Sequence, residues 1–381
     1  MGGPLTSIRV VELAGLGPAP FCGMVLADLG AEVIRVDRPD GAAGEDLVIE
    51  NRFDLHGRGK SSVAIDLKHA DGPELVLRLA TQSDILIEGY RPGVAERLGV
   101  GPERCLQVNP ALVYGRMTGW GQTGPLSARA GHDIDYVGVS GALHPIGIAE
   151  APTPPLNLVG DYGGGGMLLA VGVLAALTHA RNTGSGQVVD ASMVDGSALL
   201  TTAIHGLLAS DMWLDERQSN LLDGGAPFYT TYRTADDRHV AVGALEPAFY
   251  ARLLDGLGLD PSALPSRESP ANWPFLREVI QDVFLTRTRD QWADLFAGDD
   301  ACVAPVLSLS EAPMHPHNVQ RRTFVEIEGV IQPAPAPRFS ATPTVLPTGP
   351  VGRGRDTDRI LRDLGLSDDD IGKLRRVGAV T

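Results

Sequence analysis

The feature that most constrains the fold is the order of patterns in the first forty residues. Residues 9–13 form a short apolar, β-branched run, and Gly15-Leu16-Gly17-Pro18 makes a turn. Apolar residues then recur at helical spacing over 21–29, Gly30 closes that helix, and 31–37 is a second strand. A strand, a helix and a strand in immediate succession argue for parallel strands in one sheet. The pattern continues with a helix over 73–82, an apolar run at 85–87, a strand over 112–117 and another over 187–190. The class is therefore α/β with a parallel sheet, whose ligands are expected at the carboxyl ends of the strands.

The texture changes after Asp223-Gly224-Gly225. Runs at 228–234 and 239–244 flank the turn Ala235-Asp236-Asp237-Arg238, which predicts a hairpin. Amphipathic helices follow over 247–257, 272–286 and 289–296, giving an α+β unit of about 80 residues, a size at which a small domain holds its own core. With 381 residues two domains are expected. The divisions read as a large domain over 1–195, a linker over 196–225 that a long helix over 192–214 enters from the large domain, and a small domain over 226–305. A return linker over 306–335 and a C-terminal segment over 336–381 complete the chain. Pro333-Ala334-Pro335-Ala336-Pro337 reads as an extended ordered connection, and 357–364 as a last helix.

Composition narrows the function. The net charge of −15 makes nucleic acid an unsuitable partner, so any polyanionic ligand must be met by local arginines. Three widely spaced cysteines, Cys22, Cys105 and Cys302, fit a reducing compartment and no metal-type spacing. No charged leader with an apolar core precedes the first strand, and the longest apolar run, 167–177, is about half of what a bilayer span needs. A cytoplasmic protein without a membrane partner is expected. The first turn resembles a dinucleotide fingerprint, but Pro20 stands where the third glycine belongs, and Pro18 removes an amide that would cradle a pyrophosphate. Arg38, directly after Asp37, suits a phosphate or adenine better than a ribose diol.

Two loops carry the chemistry. One reads Gly131-His132-Asp133-Ile134-Asp135-Tyr136, the other Asn157-Leu158-Val159-Gly160-Asp161-Tyr162 followed by glycines 163–166. An imidazole and a carboxylate are the minimum equipment for moving a proton on one carbon. The same residues also read as a satisfied loop pair and a helix N-cap. The glycines permit close approach of backbone and open a helix whose first amides favour negative charge.

These words, with Ile8-Arg9-Val10-Val11-Glu12-Leu13-Ala14, Arg35-Val36-Asp37-Arg38-Pro39, Asp84-Ile85-Leu86-Ile87-Glu88-Gly89-Tyr90-Arg91-Pro92-Gly93 and Met117-Thr118-Gly119-Trp120-Gly121-Gln122-Thr123-Gly124-Pro125, resemble the α-methylacyl-CoA racemases within the family III CoA-transferase group. Asp223-Gly224-Gly225-Ala226-Pro227 and Val242-Gly243-Ala244-Leu245-Glu246 extend the resemblance over nearly the whole chain. It implies a large Rossmann-like domain, a small domain inserted between two crossings, and an interlocked homodimer. It also implies an acyl-CoA substrate with no separate cofactor, whose C2 proton moves between His132 and Asp161 on opposite faces of an enolate. Glu246 would orient the histidine from the other subunit. The backbone N–H of Asp133 is the candidate donor to the enolate oxygen. Arg38 and Arg91 fall beside the nucleotide end of CoA, and Arg58 and Lys60 are further candidates for its phosphates. Leu143, Met167, Phe228 and Tyr229 are apolar candidates for the acyl tail. The rival reading is a CoA-transferase with Asp161 as the acyl-forming nucleophile; His132 favours the racemase. Asp135 stands where relatives often carry Asn, and Gly166 where Ser is usual.

Overall fold

The computed structural model describes residues 2–39 and 50–381. The chain forms two compact units, one of Met1–Ser140, Leu156–Leu200 and Val319–Thr381, the other of Gly141–Pro155 and Thr201–Asn318.

The first unit is built on six parallel strands: β1 (Arg9–Leu13), β2 (Glu32–Asp37), β3 (Lys60–Ala64), β4 (Ile85–Glu88), β5 (Val113–Thr118) and β6 (Gln187–Ser192). Their order across the sheet is β3-β2-β1-β4-β5-β6. The order reverses between β1 and β4, so the crevice at their carboxyl ends is where such a sheet binds ligands. Alternate side chains divide between two cores, as the strand period requires. Val10 and Val33 join one core; Val11 and Ile34 join the other. The helices α1 (Pro18–Asp28), α2 (Gly72–Thr81), α3 (Val94–Arg97), α4 (Pro102–Val108) and α5 (Asp133–Val139) occur in the connections. Both faces are thereby covered: α2 supplies Leu75, Val76 and Leu79 to the second core, and α1 supplies Cys22 and Leu26 to the first.

The apolar run at 167–177 proves to be part of a longer element. A wide-turned stretch over Leu158–Met167 runs directly into α6 (Leu168–Thr183), giving 26 continuous helical residues, long and apolar enough to cross a membrane. Half of its most apolar 18-residue stretch is buried. Leu169, Val173 and Leu177 fill the core beside α1, each contributing roughly 1.5–3 kcal/mol by leaving water. That burial ties the helix to the sheet.

Other sequence expectations need revision. The single helix expected over 192–214 is two, α7 (Met193–Leu200) and α8 (Thr202–Ala209), broken at Thr201. The extended connection at 333–337 is preceded by an antiparallel hairpin, Phe324–Ile327 with Val330–Pro333. Helices Thr357–Asp363 and Asp368–Arg376 then bring Ile360, Leu361 and Ile371 into the core beside α2, and Val380 bridges to Ile65.

In the second unit Tyr229–Arg233 and His239–Gly243 form the expected hairpin, and Val303–Pro305 adds a third antiparallel strand. Helices Pro247–Leu257, Trp273–Phe284 and Arg289–Phe296 pack on it through Leu253, Ile280, Phe284 and Trp292.

Candidate active site

The chemistry-bearing residues of the first unit gather at the carboxyl ends of β1, β4 and β5. A cleft there is lined by Leu16, Tyr90, Arg91, Trp120, Arg129 and Tyr136, among others. Each wall follows from its strand. After β1 the turn at Gly17 adopts φ 71°, a conformation that favours glycine, and it opens α1 with Pro18 as the first helical residue. After β4 the Glu88 carboxylate accepts the Tyr90 N–H at 2.6 Å and bends the chain so that Arg91 enters the cleft. Burial pushes the Glu88 carboxyl up to about 7, with the Tyr90 amide and Arg116 opposing the shift. After β5 the Trp120 ring stands edge-on to Tyr136 at 4.7 Å, and the Tyr136 hydroxyl donates to the Gly131 carbonyl. The Trp120 indole N–H is buried and has no hydrogen-bond partner.

His132 caps α5, and its backbone N–H donates to the Asp135 carboxylate at 2.9 Å. The Asp135 side chain thus fixes the histidine's backbone. Its imidazole is exposed. The Asp133 amide opens the same helix, where N–H groups lack intrahelical acceptors, as an enolate donor requires.

Asp161 lies in the wide-turned stretch, half-buried, with its carboxylate accepting from the Asn157 amide at 3.3 Å. It faces the first glycine turn: a Cβ added to Gly17 would meet its Oδ2 at 3.5 Å. Burial pushes the Asp161 carboxyl above the usual aspartate range. The Asp133 charge adds to that shift, while Asn157 and the nearby His132 oppose it. His132 and Asp161 therefore lie within electrostatic reach of each other in one unit. Tyr162, the next residue, packs against Phe21 at 4.8 Å and His56 at 5.5 Å, which anchors the segment from behind.

The glycine run has a different task from the one expected. Its amides do not open a free helix end, because the run lies inside the helical stretch Leu158–Met167 that continues into α6. Instead the run lets α7 approach: a Cβ at Gly196 would sit 1.8 Å from the Gly164 carbonyl oxygen.

The four cations separate into two pairs. Arg91 lines the cleft, and Arg38 stands at the carboxyl end of β2, with its charge reaching the Tyr90 hydroxyl. Arg58 and Lys60 are removed as phosphate ligands. Arg58 is 3% exposed, donating to Asp28, Gln332 and the Pro333 carbonyl; Lys60 is likewise 3% exposed, donating to Glu12 at 2.6 Å and the Pro20 carbonyl at 2.9 Å. Asp37 is also engaged internally, accepting from Arg35 and Ser62. Arg129, three residues before His132, was not singled out in the sequence. No carboxylate among the described residues pairs with it or with Arg91.

Glu246 belongs to the second unit, exposed at the N-cap of the helix Pro247–Leu257. Arg267 donates to the carbonyls of Ala244 and Leu245 just before it, while lying over the Phe228 and Tyr250 rings at 4.6 and 4.7 Å. Phe228 is 4% exposed in that unit's core, so it is not free to contact an acyl tail.

A family model described as CoA-transferase family III matches residues 5–357. The chain belongs to this family. It is 47% identical to an alpha-methylacyl-CoA racemase of Mus musculus, with 96% of this chain and 95% of that protein covered. It is 45% identical to the alpha-methylacyl-CoA racemase of Homo sapiens, covering 97% and 96% of the two. A succinyl-CoA–D-citramalate CoA-transferase of Chloroflexus aurantiacus is 30% identical over 98% of this chain and 97% of its own length. Among solved structures, a CAIB/BAIF family protein from Brucella suis matches with a TM-score of 0.82 and 26% identity, covering 96% of this chain and all of that one.

Proposed function

We propose that this family III chain is an α-methylacyl-CoA racemase, interconverting the C2 epimers of 2-methyl-branched acyl-CoA thioesters. The observation that carries the reading is that His132 and Asp161 lie within electrostatic reach of each other, with the carboxyl's proton affinity raised by burial. A carboxyl shifted upward holds a proton more readily than an ordinary aspartate, which suits it to exchange the roles of acid and base with the imidazole. One removes the C2 proton of one epimer; the resulting enolate is protonated on its other face by the second. The Asp133 N–H receives the enolate oxygen, and one such donor contributes about 3 kcal/mol. Arg38 and Arg91 take the nucleotide end of CoA. The 45–47% identity to racemases of nearly equal length supports the assignment over the transferases.

The site is shared in an interlocked homodimer, with Glu246 from one subunit orienting His132 of the other. Large apolar side chains exposed on α5, α6 and α7 support this: Val139 is 63% exposed, Val171 65% and Leu199 60%. A second copy is the natural cover for such a surface. Replacement of His132 or Asp161 by Ala tests the reading. Racemisation falls by ~10² to 10⁴-fold while CoA binding persists; near-normal turnover in either variant removes that residue from the mechanism.

A further inference from the structure

The two proton-transfer loops are joined by one side chain. Asp133 follows His132 directly, and its Oδ1 accepts the backbone N–H of Asp161 at 2.7 Å. The Gly160 amide is close enough to this carboxylate to favour its charged form. Gly160 is buried, and a Cβ there would meet Asp133 Oδ1 at 2.4 Å, so the chain is closed tightly around the carboxylate. The surroundings of Oδ1 are thus supplied by the segment that bears Asp161. A second, independent observation concerns charge: the Asp133 carboxylate forms no salt bridge among the described residues, and its charge acts on the Asp161 carboxyl, which on the racemase reading holds a proton in half of the catalytic cycle. Such an arrangement has a stability cost that an Asn or Ser cap would avoid.

We propose that the Asp133 side chain is a positioning residue that registers Asp161 against His132 and keeps Asp161 competent as a proton donor. The proposal rests on the racemase reading and goes beyond the use of the Asp133 backbone amide. The groups facing Asp161 are few. Asp133 and His132 act from the α5 loop, Asn157 from its own segment, and Tyr136, whose hydroxyl senses the Asp161 charge, from α5. Among them Asp133 alone touches the Asp161 backbone.

A role through Asp161 has a signature that a general structural role lacks, because Asp161 serves one face of C2 only. With Asp161 disabled, His132 still removes and returns the proton on its own face. One epimer then exchanges hydrogen with solvent without inverting, and the other does neither. The experiment compares hydrogen exchange at C2 of the separate (2R) and (2S) epimers of 2-methyldecanoyl-CoA in deuterated water. Wild type, Asp133→Asn, Asp133→Ala and the control Asp161→Asn are used, each as the full-length protein with its fold verified by circular dichroism.

Asp161→Asn defines the face-selective pattern. Asp133→Ala is expected to reproduce it, exchange on the Asp161 face falling about 10- to 100-fold, as for outer partners of a reacting group, with exchange on the His132 face and the KM nearly unchanged. Asp133→Asn, which keeps the shape and one acceptor oxygen, falls less. Equal loss for both epimers, or no loss for either, overturns the proposal. If Asp161→Asn itself shows no face selectivity, the racemase role of Asp161 fails, and the positioning role falls with it.

Discussion

Lys60→Met distinguishes a phosphate anchor from an internal ion pair. The Lys60 ammonium and the Glu12 carboxylate are 2.6 Å apart, with side-chain exposures of 1% and 0%. Burial pushes Glu12 up and Lys60 down, and each partner counters the other's shift. The Glu12 Oε1 has no hydrogen-bond partner even in the intact pair. Removing the ammonium strands the carboxyl entirely, and breaking a buried pair from one side costs about 3–5 kcal/mol. At about 2–4 °C per kcal/mol for a unit of this size, the melting temperature should fall by roughly 6–20 °C. The double variant Glu12→Leu/Lys60→Met removes both charges and should recover most of the loss. Differential scanning calorimetry reads the stability, and initial-rate kinetics with an acyl-CoA read the KM. The expected result is a large melting shift in the single variant with a KM within about twofold of wild type, since no ground-state contact is lost. An unchanged melting temperature with a KM raised tenfold or more would refute the internal assignment and return Lys60 to the CoA site.

Arg91→Ala should show the reverse of that behaviour, a raised KM through loss of a charge-assisted contact worth about 1.5–3 kcal/mol, with little change in melting. The kcat/KM profile should be bell-shaped, because only the singly protonated His132–Asp161 pair is active. The raised proton affinity of Asp161 places its acid limb above the ordinary aspartate value of 3.8, activity falling as pH drops through it; Asp133→Asn removes a raising charge and should move that limb down. For the shared site, a heterodimer of a His132→Ala subunit with a Glu246→Gln subunit should regain one working site of two, measured after purification as a verified mixed dimer. Its inactivity would mean that each site takes both residues from one chain.

Much of the fold was legible because β1, β2, β4 and β5 each carry β-branched or other apolar residues that are buried, as a parallel sheet covered on both faces demands. The strand Lys60–Ala64 was not, since three of its five residues are polar and their partners lie elsewhere: Ser62 donates to Asp37, Lys60 to Glu12. The helix Asp368–Arg376 was missed for a related reason, with Ile371 its one buried side chain. Asp133 was read for its amide alone, because the acceptor role of its carboxylate joins residues 28 apart. Arg58 and Lys60 resembled phosphate ligands while their carboxylates were 30 and 48 positions away. Residue type and local spacing exposed the candidate acid and base; pairing across the fold decided which charges remain for a ligand.

The central claim is proton transfer at C2, and one incubation tests it. A single epimer of a 2-methylacyl-CoA is incubated in deuterated water with the enzyme and an added free carboxylic acid, followed by mass and chirality analysis. The account predicts one deuterium at C2 and convergence on a mixture near 1:1, with no transfer of CoA to the added acid. Transfer of CoA to the acid, with the C2 hydrogen and configuration retained, would contradict it and establish Asp161 as a nucleophile.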